Sequence, residues 1–500
     1  MVDPTKVGTI RSIYRFAPTS GNDASGYWFH WTGVVDAVRG PVRGDTSERT
    51  YFTGDGVPKV TDNSIALSGG TDYPENSYTL GIPVPGVTIG IAVTGDADEG
   101  ATEADTITRA YVITYVSAWG EEGPPSAVSP RVDLLPGQSV SLSALGTAPI
   151  GNYNITHKRI YRTATGAGTT QFYFVAEIAI STTTYSDTIE DAVVGEELPS
   201  ETWYAPPTDM HSIGVLDNGI GFGASKNEVY VSEPYLLHAW NPLNAQPSNH
   251  PIVGCGKYGN TIVALTTANP LIVTGVDPSS MTSSELAINQ GCVSKRSIVN
   301  APFGVLYASP DGLVLVGPGS PGTIVTKNFL TRDQWQALNP HSIMGVLYNG
   351  MYMGFYDTGE EDGAGAFILD PENPASGFLY LDIVATAAYA DPLSDSLYLC
   401  IDGKIVTWDT GNPLEYTWRS KRFVYGRPVN YVAARIMAED YVDLKFKSYV
   451  NGVLTQTKTV INGNVFRLPY TVGREFEYEL SGTSTVVMLE IAETGDELVQ

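Results

Sequence analysis

At 500 residues the chain exceeds what one hydrophobic core ordinarily organises, and 52 glycines, 32 prolines and 29 tyrosines against eight methionines describe many short strands, tight turns and little helix. A formal charge of -25 excludes a groove that grips the nucleic-acid backbone, which needs clustered Lys and Arg, whereas an acidic wall that repels the polyanion suits a conduit. Cys255, Cys292 and Cys400 stand far apart without a C-x-x-C pair, so neither a zinc cage nor a disulfide framework is indicated; no apolar run reaches the roughly 18 residues of a membrane span, and the start has no secretory signal pattern.

Residues 1–105 form an N-terminal β segment. Its strand material is YWFHW at 27–31 and RTYFT at 49–53, the latter running into the turn Gly54-Asp55-Gly56 as a hairpin. The acidic stretch 95–105 (GDADEGATEAD) has no apolar periodicity and marks a linker or exposed loop. Strands at 110–116, 140–142, 157–162, 172–177 and 184–187 follow in quick order, the cadence of a sandwich, and place one domain at 106–200. Its Tyr-x-Val spacing, its G-E-x-G-P-P-S edge and its late T-T-Y-x-D-T strand resemble a fibronectin type III or immunoglobulin-like module with a rotated strand order.

From 206 to 412 one unit repeats: an apolar strand, a turn with Gly, Asn or Asp, and a second apolar strand. Copies begin at Gly219, Asn260, Gly304, Gly350 and Ser396, at intervals of roughly 41 to 46 residues, the period of four-stranded propeller blades. A sandwich or solenoid of unrelated hairpins also yields hairpins; the near-constant interval favours the propeller, with the segment near Tyr27 to Lys59 donating strands that close the ring. Residues 413–500 change register, with strands at 422–426, 431–436, 442–447 and 486–491 and Asn451-Gly452 and Asn462-Gly463 turns, a small jelly-roll-like platform. The expected fold is therefore all-β: a propeller body, an inserted sandwich and a C-terminal antiparallel platform sheet.

Chemistry is sparsely signalled. The six histidines form no H-x-H or H-E-x-x-H pair, and no nucleophile elbow, Walker A or Rossmann fingerprint is present, so no catalytic, cofactor or metal residue is assigned and no enzyme is expected. Carboxylate pairs abound in so acidic a chain and leave a glycosidase open. Asp357, Glu360, Glu361 and Asp362 form an acidic loop, a solvated turn that contributes negative potential if it faces a channel. Arg419, Lys421, Arg422 and Arg427 cluster where the repeats end; they read equally as a protected strand edge or as a docking patch for an acidic face of a neighbouring subunit.

Several stretches resemble phage and prophage tail proteins: residues 49–60 (RTYFTGDGVPKV), 158–163 (KRIYRT), 227–240 (NEVYVSEPYLLHAW), 292–298 (CVSKRSI), 306–313 (LYASPDGL) and 418–423 (WRSKRF). The closest family by this resemblance is the nozzle, or tail tubular protein B-like, component of short-tailed phages. The resemblance implies a virion protein assembled in the bacterial host cytoplasm, a homo-hexameric ring, portal and adaptor proteins above and tail fibre or needle proteins below, DNA passing through without specific binding, no membrane insertion and no cofactor. The other functional reading is a tail-tip propeller that binds a receptor or cleaves glycans.

Overall fold

The computed structural model describes residues 5–19, 26–164 and 171–498. Strands account for 45% of the chain and helix for 6%, so the protein is all-β. It divides into two compact units, Met1–Thr407 and Trp408–Gln500.

The first unit contains seven antiparallel sheets in chain order; from the second to the seventh their first strands lie side by side. They begin with the hairpin Ser12–Phe16 and Tyr27–Trp31 and the sheet Asp36–Arg39, Thr50–Thr53, Lys59–Thr61, Tyr78–Thr79. Sheets starting at His211–Val215, Ile252–Tyr258, Val299–Ala301 and Met344–Tyr348 follow, and a three-stranded sheet starting at Ala387–Asp391 ends the series. The N-terminal segment thus supplies two blades, and the five repeated hairpins form strands two and three of later ones. Asn349-Gly350 and Asp402-Gly403 both hold positive φ at two consecutive residues, the geometry of a two-residue hairpin turn that matches strand twist. The middle strands are covered on both faces by neighbouring blades, so Gly304–Ala308 is buried at every residue and reads as a continuous apolar run without alternation.

The ring closes without a shared sheet. Ser12–Phe16 lies beside Ala387–Asp391, and Ile10, Ile13 and Trp28 pack against Ala387, Cys400 and Ile405. Trp28 meets Tyr389 and Tyr398 edge-on, with centroids 6.0 and 4.8 Å away.

A sandwich is inserted between the second and third blades. One sheet is Tyr111–Ser117, Ile155–Thr163, Phe172–Ala179; the other is Gly90–Thr94, Ser139–Ser143, Tyr185–Asp187. The sandwich therefore starts before residue 106: Gly90–Thr94 pairs residue for residue with Ser139–Ser143. Its half-exposed sequence GIAVT, beside a proline-rich stretch, carries too little apolar pattern to reveal it. The KRIYRT segment builds the sandwich's polar interior. Arg162 is fully buried and pairs with Asp187 and, at 2.7 Å, with Asp191, while Tyr111 donates to Asp187 at 2.7 Å. On the opposite face of the same strand, Arg159 and Tyr161 donate to the buried Glu122 at 2.7 and 2.8 Å.

In the second unit the expected platform is two sheets over one core. Five strands, Tyr416–Arg419, Phe423–Val429, Leu444–Val450, Val453–Val460 and Gly473–Gly482, face Ala433–Ala438, Phe466–Arg467 and Val486–Ala492. The longest strand, Gly473–Gly482, was not among the expected ones, although Phe476, Tyr478 and Leu480 alternate with Glu475, Glu477 and Glu479; Glu477 and Glu479 are only 9% exposed, covered by Arg419, Arg422 and Lys447.

Trp28→Ala removes the largest side chain of the closing seam and is expected to cost about 3–5 kcal/mol, as for other large-to-small changes in packed cores. A urea midpoint unchanged from the wild type would show that the seam does not hold the ring.

Candidate functional site

The first strands of the blades converge on a hub, where the described residues line cavities from strand starts to strand ends. The first, about 340 Å³, is bordered by Arg11, Arg296, His341, Met344, Tyr356 and Asp357. The second, about 490 Å³, lies at mid-strand between Asp36, Arg39, Cys255, Lys257, Lys295 and Asn300. The third, about 210 Å³, sits at the strand ends with Tyr14, Arg15, Arg39, Glu48, Tyr389 and Asp391.

The segment 292–298 explains how two of these cations arrive. Ser294 donates to Ile343 O at 2.7 Å, and Ser297 donates to Ser294 O at 2.7 Å and accepts from Ala308 N at 2.8 Å, which fixes a tight turn, Lys295–Ser297. Lys295 then points to Asp36, 2.6 Å away, whose carboxylate also accepts from Ser212 N on the next blade. Arg296 turns the other way and donates to the backbone oxygens of Arg11 and Thr386 and to Met344 Sδ, joining three strand starts. Burial, with Arg11 nearby, brings the Arg296 guanidinium down to about 10.

Six basic side chains thus face the hub of an acidic chain, against four carboxylates, three of them in ion pairs: Asp36 with Lys295, Glu48 with Arg39 at 2.6 Å and Asp391 with Arg15. Lys257 reaches out to Asp217 at 2.8 Å. Of the acidic loop, only Asp357 borders a hub cavity; Glu360, Glu361 and Asp362 are exposed at the hairpin turn between Met351–Asp357 and Ala364–Leu369. The basic cluster of the second unit is largely engaged within that unit. Arg419 and Arg422 both donate to Glu477, at 2.8 and 2.7 Å, and hold its carboxyl below the usual range; Lys421 lies over Phe423, and Arg427 is exposed.

Nothing among the described residues gathers three metal-ligating side chains. Burial pushes the Cys255 and Cys292 thiols up to about 12, so neither is a ready nucleophile. Sequence reasoning missed the hub cations because they come one or two per blade, and missed Glu48 because it stands alone in a polar turn.

A second polar cluster fastens the sandwich to the propeller. Trp119 lies beneath Arg49, and Glu121 accepts from Arg49 at 2.7 Å while Arg49 also holds Asp45 at 2.6 Å. His238, from the third blade, is 2% exposed with Nδ1 at 3.6 Å from Glu121. Burial pushes Glu121 up to about 7, against the pull of Arg49, and burial with the nearby Arg49 charge brings His238 down to about 3.

No family model matches the chain, and no curated protein matches it. Among solved structures it is similar to an exo-β-1,3-galactanase from Phanerochaete chrysosporium, at 11% identity over 58% of this chain and 98% of that one with a TM-score of 0.21. It is also similar to the extracellular domain of a hybrid two-component system from B. thetaiotaomicron, at 12% identity over 95% and 72% with a TM-score of 0.28. The N-terminal domain of Nup159 matches at 10% identity over 65% and 87%, with a TM-score of 0.23. At these scores the likenesses carry no conclusion about function.

The fastening cluster has a testable pH signature. Folded Glu121 keeps a proton that the unfolded chain releases above its ordinary 4.5, so its contribution to stability falls as pH rises from 4.5 through 7. Folded His238 refuses a proton that the unfolded chain takes below 6.5, so its contribution rises as pH climbs from 3 to 6.5. In the overlap the two slopes, each about 1.4 kcal/mol per pH unit, oppose one another. Relative to the wild type, His238→Gln should lose stability and Glu121→Gln should gain it as pH rises through this overlap, read from urea midpoints. Parallel profiles for all three proteins would refute the coupling.

Proposed function

We propose that the chain is a structural subunit of a phage tail, a nozzle-type component that assembles as a homo-hexameric ring around the path of ejected DNA. The observation that carries this reading is the surface of the C-terminal sandwich. Residues 408–500 make up under a fifth of the chain, yet they expose twelve large apolar side chains, among them Trp418, Val424, Met437, Val442, Tyr470 and Val487. So many apolar groups open to water on a small body suit burial against neighbouring subunits. Met437 and Met488 sit opposite one another on adjacent strands, a soft, adaptable contact surface.

Charge supports the same reading. Arg15, Arg39 and Lys295 are paired with carboxylates inside the hub, whereas Glu360, Glu361 and Asp362 are exposed, and an acidic wall lets a polyanion slide without adhering. The resemblance of 292–298, 306–313 and 418–423 to tail proteins adds the cellular setting, a virion assembled in the host cytoplasm with adaptor and fibre proteins as neighbours. A glycan-cleaving tail-tip protein needs two available carboxylates across one cleft. Glu48 and Asp391 share a cleft, but both Asp391 oxygens are engaged, Oδ1 by Leu393 N at 3.1 Å and Oδ2 by Ser394 Oγ at 2.7 Å and by Arg15.

Sedimentation and electron microscopy of the assembled protein should show a six-fold ring. Val424→Glu and Tyr470→Asp should shift the population to monomer while leaving the circular dichroism and melting temperature unchanged. A strictly monomeric species inside intact virions would contradict the proposal.

A further inference from the structure

The cleft at the strand ends has a feature that the ring role does not use. Glu48 is 4% exposed and sits at φ 49, a left-handed conformation that is uncommon for a non-glycine residue and costs roughly 1–2 kcal/mol. The turn that holds it is fixed by Glu48 N donating to Asp45 O at 3.2 Å and by the Asp45 to Arg49 ion pair. Its Oε2 takes Arg39 at 2.6 Å, whereas Oε1 has no hydrogen-bond partner among the described residues. A buried carboxylate oxygen without a donor costs about 1–3 kcal/mol, and a ligand that brings a donor recovers that penalty.

We propose that this cleft binds one neutral sugar residue, with a hydroxyl of the sugar donating to Glu48 Oε1. The chemistry of the walls selects this class. Arg15 and Arg39 disfavour a cationic ligand, and Glu48 with Asp391 disfavours an anion, so the ligand must be uncharged and carry both donors and acceptors. Tyr14 and Tyr389 meet edge to face at 5.6 Å, and with Phe16, Pro392 and Leu393 they give the cleft apolar walls for the C–H faces of a ring. The cavity, about 210 Å³, equals roughly seven waters at their liquid volume, room for a single ring and not for an extended chain. Because Asp391 is fully engaged, the site binds without hydrolysing: one carboxylate accepts and no second is available as an acid or nucleophile.

The test is saturation-transfer NMR on the full chain, with glucose, galactose, mannose and N-acetylglucosamine each at millimolar concentration. At least one sugar should receive saturation, and none of the matching nitrophenyl glycosides should be cleaved. Glu48→Gln, which turns the open acceptor into a donor amide, should weaken binding at least tenfold. Leu393→Trp alters a residue that is 59% exposed, leaves Glu48 intact and should block entry sterically, so the proposal stays testable if the Glu48 variant fails to fold. Absence of transfer to all four sugars, as from a cleft that holds only solvent, overturns the proposal. So does binding that survives both variants, or Glu48-dependent binding of methylguanidinium or inorganic phosphate in place of a sugar.

Discussion

The first unit rests on a seam between residues nearly four hundred positions apart. Every other pair of neighbouring blades in the later series is consecutive in the chain, joined by connections that run at most from Ile324 to Met344, so those blades meet with little entropic penalty. The first and last blades meet only through side chains, with Ile10, Ile13 and Trp28 set into a surface made by Ala387, Cys400 and Ile405. Closing so long a loop is entropically costly, and the apolar burial at this seam must offset that cost for the wheel to exist. Arg296 reinforces the same place by tying the backbone before the first strand of the first blade to the backbone before the first strand of the last blade. The hub cavities follow from closure, since their walls come from strands that only the closed wheel brings together.

Many of the scarce cations of this acidic chain are met by a carboxylate: Lys295 by Asp36, Arg39 by Glu48, Arg162 by Asp187, and, in the second unit, Arg419 and Arg422 by Glu477. Buried guanidiniums tolerate such places because their planar forks reach several acceptors at once. The outer surface is left acidic. The basic cluster at residues 419–427, legible in sequence as a patch, is in space largely a clamp across one glutamate.

The repeated hairpins were legible because each carries its own signal: an apolar run long enough to be buried on both faces, then a turn with Gly, Asn or Asp. Two strands went unread for different reasons. Gly473–Gly482 does carry a strand's alternation, Phe476, Tyr478 and Leu480 between glutamates, and the cationic covers explain how Glu477 and Glu479 come to be buried, whereas Gly90–Thr94 is short of apolar side chains and is held by backbone pairing. The hub was illegible for a different reason: its members come from separate blades, and no local spacing links Glu48, Arg39, Arg15 and Tyr389. The left-handed turn at Glu48 has no sequence signature at all, since nothing in GDTSERT requires a glutamate there to adopt it.

The seam also sets an order of events during synthesis. The aromatic strand Tyr27–Trp31 leaves the ribosome early, yet its partners Tyr389, Tyr398 and Cys400 follow only after most of the polypeptide has been made. At translation speeds of roughly 5–20 residues per second, that sticky edge waits tens of seconds without its mate. The nascent protein is therefore a client for holdase chaperones during that interval, and a truncated product ending before the last blade is prone to clump, however well its middle blades have already formed.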